Sequence, residues 1–361
     1  MGWQELGVEY KQIPETRAAT MRVVLKSRQE LPALLNELAC CVPREHLGGP
    51  PFCIIRFITS VEDGFDAEIG FPVTQAVETE SVRTLTFPPM GVLSLVHVGP
   101  LEDLGVSYKR LYNSTAEQGL ISDEFVREVY PDWELTEWKS VEVQFVVHNW
   151  NRLLAANLDR VLGEEARQCV MLGIDEPGIE STLDERFRWV REIIERLQKS
   201  ASEGQVYDVL SSCAHVFPQE QIDKLRAVYV EALGLAGDPL DAVDAVIAFM
   251  AQDPGWGETP LRQGRVIYST KAPRDAQAYE NARTEAERKQ AYCFCPVVRN
   301  RLEQGMPAAF CTCGAGWYRQ QWEGAIGEAV SIRIVKSILN GDDVCQFAIR
   351  LPDNAGTDQE K

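Results

Sequence analysis

The stretch DAEIGFPVT, residues 66–74, decides the fold, because a related stretch returns later in the chain as SVEVQFVVH, residues 140–148. Glu68 aligns with Glu142 and Phe71 with Phe145, at an offset of 74 residues in both pairs. Apolar residues alternate around each acid, a pattern typical of a β-strand with one buried side. Two such strands with a carboxylate at the same place indicate an internal repeat.

The repeat extends over residues 17–148. Each half reads as a strand, a helix and then two strands, and the first half ends in a predicted hairpin across residues 62–64. The apolar stripes of the two helices also align, with Leu31, Leu35 and Leu38 falling against Leu104, Tyr108 and Leu111. We therefore predict an α+β fold, in which a duplicated βαββ unit forms an antiparallel sheet with two helices on one face.

The sequence predicts four segments in all. The duplicated domain spans residues 8–148. Residues 149–290 read as a helical region, because their apolar residues recur at helical spacing. Residues 291–352 read as a small cysteine-rich α+β domain that ends in a hairpin, and residues 353–361 as a disordered acidic tail.

Composition narrows the partners. The chain has 36 Lys and Arg residues against 54 Asp and Glu, a formal net charge of −18 at pH 7, which repels nucleic acid and anionic lipid. No apolar run approaches the roughly 20 residues that span a bilayer, and the N-terminus lacks the pattern of a signal peptide. We therefore expect a cytoplasmic protein with no direct nucleic-acid or membrane partner. Its ten cysteines should mostly be thiols, metal ligands or redox groups rather than structural disulfides.

Acidic and aromatic residues concentrate on the last two strands of the duplicated domain. By the two-residue period of a strand, Glu128 and Tyr130 share one side, and Glu142 and Gln144 share one side of the partner strand. We expect both pairs to line one groove on the helix-free face. Carboxylates among aromatic rings suit an organic cation, since each ring face attracts positive charge by about 0.5–2 kcal/mol. The predicted ligand-binding residues are Glu128, Tyr130, Glu142, Trp133, Trp138, Gln144 and Glu68.

A second interpretation is a solvated sheet face on which the two acids form ordinary ion pairs. Their candidate partners are Arg56, Arg127 and Lys139. Glu68 has only Arg56 as an obvious neighbour, so we expect it to be the structural, salt-bridged twin of Glu142. Glu142 is then the residue that we expect to carry the ligand chemistry.

Several ordered motifs resemble the GyrI-like, or effector-binding, domain over roughly residues 8–148. They are DAEIGFPVT, FPPMGVLSLVHVGPLEDLGVSYKRLY, REVYPDW and SVEVQFVV. The resemblance implies a two-fold repeated fold that binds small molecules in a groove between its halves. In multidrug-sensing activators with this domain, acidic residues on the last hairpin contact cationic drugs, and the matching positions here are Glu128 and Glu142. Only MGWQELG precedes the domain, so we expect no helix-turn-helix of its own.

The same resemblance implies a second function, because some free-standing GyrI-like proteins are hydrolases that open strained cyclopropane rings. Such chemistry needs a carboxylate to activate water and an acid to assist the leaving group. The candidate catalytic residues are Glu142, Glu128 and Tyr130. Of the two functions, we favour a binding protein for hydrophobic, cationic, drug-like molecules.

The C-terminal segment carries two close pairs of cysteines, Cys293 with Cys295 and Cys311 with Cys313. Four thiolates of this kind could hold zinc or an iron–sulfur cluster, which would make the chain a metal- or redox-sensing protein. The other interpretations are catalytic thiols and buried, small apolar side chains.

The motif VKSILNGDDVCQFAI, residues 335–349, resembles the end of the aminothiazoline-carboxylate hydrolase-like and vinyl-reductase-like domains. This resemblance implies a second α+β ligand domain, with Cys345 near its pocket.

Overall fold

The computed structural model describes residues 7–56, 64–135, 138–172, 178–217, 219–253, 256, 258 and 260–353. The chain divides into two units, the first ending at Asn149 and the second beginning at Trp150. Two predicted features lie outside the described residues. These are the tip of the first hairpin at Glu62 and Asp63, and the tail from residue 354 onward.

The first unit is built on an antiparallel sheet of eight strands. They are β1 (Glu9–Ile13), β2 (Thr16–Leu25), β3 (Phe52–Arg56), β4 (Phe65–Pro72), β5 (Arg83–Phe87), β6 (Met90–Val98), β7 (Leu120–Val129) and β8 (Ser140–Asn149). Their order across the sheet is β1-β6-β8-β7-β3-β4-β2-β5. Two helices join the strands, α1 (Leu31–Cys41) and α2 (Leu104–Glu117).

The sheet confirms the predicted duplication. One half runs β2-α1-β3-β4 and the other β6-α2-β7-β8, and the last strand of each half lies between its two partners. The halves meet where β3 pairs with β7, which makes these two strands the seam of the domain. Glu68 on β4 and Glu142 on β8 hold equivalent places, as the repeat predicts.

The helix stripes predicted from sequence are the buried faces of α1 and α2. Helix α1 packs against β2 and β4, and α2 packs against β6, β7 and β8. Leu35 and Leu38 of α1 and Leu111 of α2 are each at most 1% exposed. Burial of one such side chain contributes roughly 1.5–3 kcal/mol, so these contacts hold the helices on the sheet.

The second unit is mainly helical and has two apolar cores. Its helices are α3 (Trp150–Leu162), α4 (Glu164–Met171), α5 (Leu183–Ser200), α6 (Glu203–Ser211), α7 (Gln219–Ala236), α8 (Pro239–Ala251), α9 (Ala276–Asn281), α10 (Glu285–Tyr292) and α11 (Thr312–Ile326). Helix α5 begins at a capping box formed by Thr182 and Glu185. None of the helices in the described ranges combines the length and the apolar character needed to cross a membrane.

A four-stranded sheet joins the two segments that the sequence predicted as separate. Its strands are β9 (Leu261–Gln263), β10 (Val266–Thr270), β11 (Ser331–Lys336) and β12 (Gln346–Arg350), in the order β11-β12-β10-β9. Strands β9 and β10 fall inside the predicted helical region, and β10 pairs with β12 of the predicted cysteine-rich domain. Strand β10, with the sequence VIYST, was not predicted because the segments around it have helical patterns. Its β-branched and aromatic residues nevertheless favour a strand.

Candidate functional site

Strand register places the two predicted pairs on opposite faces of the first sheet. Residues directly opposed in an antiparallel pair project to the same side. Glu128 lies opposite Val143 of β8 and Cys53 of β3, whereas Glu142 lies opposite Val129. The prediction that both pairs line a single groove is therefore wrong, because Glu128 and Glu142 lie on opposite faces. A shift of one residue in register moves a side chain to the other face, and the sequence does not fix that register.

Glu128 is fully buried on the face that the helices cover. Arg28, in the short turn Arg28–Glu30 before α1, donates from Nη2 to its Oε1 at 2.8 Å and from Nε to its Oε2 at 3.3 Å. The Tyr108 hydroxyl of α2 donates to Oε1 at 2.5 Å, and the Tyr130 hydroxyl donates to Oε2. The carboxylate thus holds one cation and two phenols.

The electrostatics of this cluster keep its donors protonated. Burial lowers the pKa of the Arg28 guanidinium, but the charge and hydrogen bonds of Glu128 outweigh burial and raise that pKa above its usual value. Burial, together with the Glu128 charge, raises the pKa of the Tyr108 and Tyr130 hydroxyls well above their usual value. All three side chains therefore remain hydrogen-bond donors to Glu128 across the physiological range of pH.

Aromatic rings extend away from the carboxylate. The ring of Trp138 lies 4.5 Å from that of Tyr130, and the ring of Phe145 lies 5.9 Å from that of Tyr108. The Arg28 guanidinium lies 5.6 Å from the centre of the Tyr108 ring. Of the predicted ligand residues, the structure thus brings Glu128, Tyr130 and Trp138 together. Trp133 contacts the ring of Phe71 at 4.8 Å instead.

Glu142, on the opposite face, is hydrogen-bonded by three side chains. Its Oε1 accepts from Lys11 at 3.0 Å, from Ser94 at 2.5 Å and from Gln144 at 2.9 Å. Burial raises the pKa of the Glu142 carboxyl, but these three hydrogen bonds outweigh burial and hold the pKa below its usual range. Glu142 is therefore a carboxylate at neutral pH, with its side chain 22% exposed.

Glu142 should make the stability of the first unit depend on pH. Because its folded pKa is lowered, its contribution is fully present above the unfolded pKa of about 4.3 and is lost as pH falls through the folded value. We expect Glu142→Gln to flatten the acid limb of a plot of unfolding free energy against pH, measured by urea titration. Lys11→Met, which removes one donor of three, should flatten it less. An acid limb that is unchanged in Glu142→Gln would contradict this role.

Glu68 is buried on the same face as Glu142, with its side chain 3% exposed. It forms an ion pair with Arg83 at 3.3 Å. The neighbour expected from sequence, Arg56, instead forms an ion pair with Asp66 at 3.6 Å. Glu68 is thus a salt-bridged acid, whose partner comes from β5, on the far side of β2, rather than from the adjacent β3.

The partners of the two carboxylates were missed in the sequence. Arg28 lies 100 residues from Glu128, and Lys11 lies 131 residues from Glu142. Neither residue belongs to a periodic apolar pattern. Arg28 lies in the turn before α1, and Lys11 lies on β1, an edge strand of the sheet. Tyr108 was visible only as a member of the α2 stripe, where an apolar role is the usual interpretation.

The four predicted metal ligands, Cys293, Cys295, Cys311 and Cys313, are half-buried thiols in the second unit. No three His, Cys, Asp or Glu side chains of the described chain are grouped so that they could hold a metal ion. Burial raises the pKa of the Cys293 thiol to about 11, and the Cys311 sulfur accepts a hydrogen bond from Ser337 at 3.2 Å. This arrangement gives no support to a metal site among the described residues, and the redox role stays a prediction.

The first unit is an α+β domain with a duplicated sheet and a buried carboxylate, Glu128, that forms an ion pair with Arg28. Its residues 7–145 match the family model of the GyrI-like small molecule binding domain, which confirms the resemblance of the N-terminal motifs. The resemblance of the C-terminal motif, and a pocket near Cys345, stay predictions. No curated protein matches the chain.

Three solved structures are similar to this domain. The C-terminal domain of EcmrR is 22% identical with a TM-score of 0.34, over 39% of this chain and 97% of that one. EcmrR in its DNA complex is 21% identical with a TM-score of 0.35, and here 39% of this chain spans only 57% of that chain. SAV2435 bound to tetraphenylphosphonium is 11% identical with a TM-score of 0.30, over 40% of this chain and 96% of that chain.

Proposed function

We propose that the first unit binds a hydrophobic organic cation, whose positive charge takes the place of the Arg28 guanidinium at Glu128. One observation carries the proposal. A carboxylate that is 0% exposed already holds a cation and two phenol hydroxyls. A buried carboxylate without a counter-charge is strongly unfavourable, so any molecule that displaces Arg28 must bring a positive charge of its own. The proposal thus moves the ligand charge from Glu142, the residue favoured by sequence, to Glu128.

Arg28 is the more exposed member of the ion pair. Its side chain is 25% exposed, while that of Glu128 is 0% exposed, so the guanidinium is the charge of this pair that solvent can reach. It belongs to a three-residue turn, in which the Ser27 hydroxyl accepts a hydrogen bond from the Gln29 backbone. The long alkyl stem of an arginine lets its charged group turn into water while the stem stays packed. Displacement of Arg28 therefore requires no movement of the sheet.

The surrounding rings favour a delocalised cation over a small ammonium ion. Tyr108, Tyr130 and Trp138 present aromatic surface within one cluster. A cation over such a ring gains about 0.5–2 kcal/mol, and an apolar body gains about 25 cal/mol for each Å² that it buries. A small polar cation has only its charge to offer, and the bidentate guanidinium of Arg28 already supplies that charge.

Arg28 also sets the apparent affinity. Only the fraction of protein molecules in which Arg28 has left Glu128 can bind the ligand. The observed dissociation constant therefore equals the intrinsic constant divided by that fraction. Arg28 thereby acts as a built-in competitor. Molecules that bury enough apolar surface to overcome it are bound, and others are excluded.

The test compares tetraphenylphosphonium with triphenylphosphine oxide, a neutral molecule of similar aromatic character, by titration calorimetry. We expect the wild-type protein to bind the cation and not the oxide. Glu128→Gln should weaken binding of the cation by about tenfold or more, since a charged partner contributes more than 1.4 kcal/mol. Glu142→Gln is the matched control on the opposite face and should leave binding unchanged. In a thermal shift assay, a ligand at 100 times its dissociation constant adds about 2.7 kcal/mol of stability.

Loss of binding in Glu142→Gln with full binding in Glu128→Gln would overturn the proposal and place the cation on the helix-free face. Equal affinity for the cation and the oxide would show that no carboxylate contributes to binding. Hydrolytic activity, a cytoplasmic location and the absence of direct nucleic-acid binding stay predictions.

A further inference from the structure

A cavity lies on the helix-free face of the first unit, near one end of the sheet. Its volume is about 450 Å³, which is within the range of small-molecule sites. The connection from β1 to β2 forms one side, and the segment before β3 forms another. Apolar lining comes from Ile13, Pro50, Pro72, Val73 and Val129.

Arg127 lines this cavity from strand β7 and is 9% exposed. Its Nη1 donates to Gln144 Oε1 at 2.6 Å, and its guanidinium lies 4.5 Å from the centre of the Phe52 ring. Within the described parts of the chain, the guanidinium has no other hydrogen bond and no ion pair. Since a guanidinium carries five N–H donors, most of those of Arg127 are left for a ligand or for water.

Burial lowers the pKa of Arg127 to about 10, with the nearby Glu142 charge opposing that shift. Arg127 is therefore still a cation at neutral pH. Glu142 is engaged by Lys11, Ser94 and Gln144 and does not contact Arg127 directly. Gln144 stands between the two charges, accepting from Arg127 and donating to Glu142.

We infer that this cavity binds a small molecule with a carboxylate or a similar planar anionic group, and that Arg127 is its bidentate partner. The guanidinium fork matches two carboxylate oxygens, and the apolar lining takes the body of the molecule. Arg17 adds a second positive charge at the exposed rim, and Glu15 adds one negative charge there. The charged residues that line the cavity thus carry a net charge of +1, in a chain whose formal net charge is −18.

The anion site is separate from the proposed cation site. Arg127 and Glu128 are consecutive on β7, so they project to opposite faces of the sheet. Arg127 is paired with Gln144 and Ile54, whereas Glu128 is paired with Val143 and Cys53. The one strand therefore presents a cation to one face and a carboxylate to the other.

The test uses benzoate as the probe and benzamide as its neutral counterpart, with calorimetry or saturation-transfer NMR on the full chain. We expect wild type to bind benzoate at least tenfold more tightly than benzamide, because only the carboxylate can accept two charge-assisted hydrogen bonds. Arg127→Met should abolish this preference. Within the described residues Arg127 forms no ion pair, so this substitution leaves no buried carboxylate without its counter-charge, which keeps the variant usable.

Arg127→Lys provides a second variant that keeps the charge but loses the fork, and it should reduce the preference severalfold. Glu128→Gln is the matched control one residue along the strand and should leave benzoate binding intact, whatever it does to tetraphenylphosphonium. Equal affinity for benzoate and benzamide, no binding of benzoate at millimolar concentration, or a preference that persists in both Arg127 variants would overturn the inference.

Discussion

Arg28→Met is expected to lower the free energy of unfolding by about 3–5 kcal/mol, measured by urea titration of the full chain. The reason is the position of its partner. Glu128 is 0% exposed, and without Arg28 its carboxylate keeps only the hydroxyls of Tyr108 and Tyr130. Two neutral donors do not replace a counter-charge in a low-dielectric interior.

The reverse change should matter less. In Glu128→Gln the remaining charge belongs to Arg28, whose side chain is already 25% exposed and can turn into water, so we expect a loss of about 1–3 kcal/mol. The double variant should be more stable than the sum of the single losses predicts, because it leaves no buried charge unpaired.

Arg44→Met is the control, since Arg44 and Glu134 also meet at 2.8 Å but are 85% and 57% exposed. It should cost at most about 1 kcal/mol. Equal losses in Arg28→Met and Arg44→Met would contradict the buried pair.

The Arg28 variant also separates stability from binding. Removal of a competing cation should make Arg28→Met bind tetraphenylphosphonium more tightly than wild type, although the variant is less stable. A purely structural Arg28 would instead lose binding together with stability. The two measurements therefore change in opposite directions only if Arg28 and the ligand compete for Glu128.

Gly316→Ala should be strongly destabilising in the second unit, by about 3 kcal/mol or more. Gly316 lies in α11 where that helix meets the end of α6, and an added Cβ would overlap the carbonyl oxygen of Ser211. The same Cβ would lie 2.8 Å from the Cβ of Ala214. Both obstacles belong to the packed core between the helices, so α6 and α11 would have to move apart.

Gly234→Ala is the matched control, in helix α7 of the same unit. Nothing lies within 4 Å of a Cβ at that position. The substitution should therefore stabilise the chain by about 0.5–1 kcal/mol, the usual gain when alanine replaces glycine inside a helix. Thermal and urea unfolding of the two variants should shift in opposite directions. A tolerated Gly316→Ala would show that α6 and α11 do not pack as closely as described.

The fold of the first unit was predictable because its information is local and repeated. The offset that relates Glu68 to Glu142 also relates the two strand pairs, and the helix stripes around Leu35 and Leu111 repeat with them. Patterns of two and of about 3.6 residues give the element types directly. The duplication then limits the order of the strands to a few arrangements.

The site was predictable only in part. Alternation along β7 placed Glu128 and Tyr130 on one side, and in the structure the Tyr130 hydroxyl donates a hydrogen bond to the Glu128 carboxylate. Alternation cannot say which residue of β8 stands opposite Glu128, and the long connection between β7 and β8 leaves that register open. Arg28 could not be found at all, because its contact with Glu128 depends on where the turn before α1 meets the sheet. That is a property of tertiary packing.

The most direct measurement is a crystal structure of the chain with tetraphenylphosphonium bound. We expect the phosphonium beside the Glu128 carboxylate, with its rings against Tyr108 and Trp138, and the Arg28 guanidinium withdrawn from its present 2.8 Å contact. A cation bound elsewhere in the first unit, with the Arg28–Glu128 pair intact, would contradict the central claim.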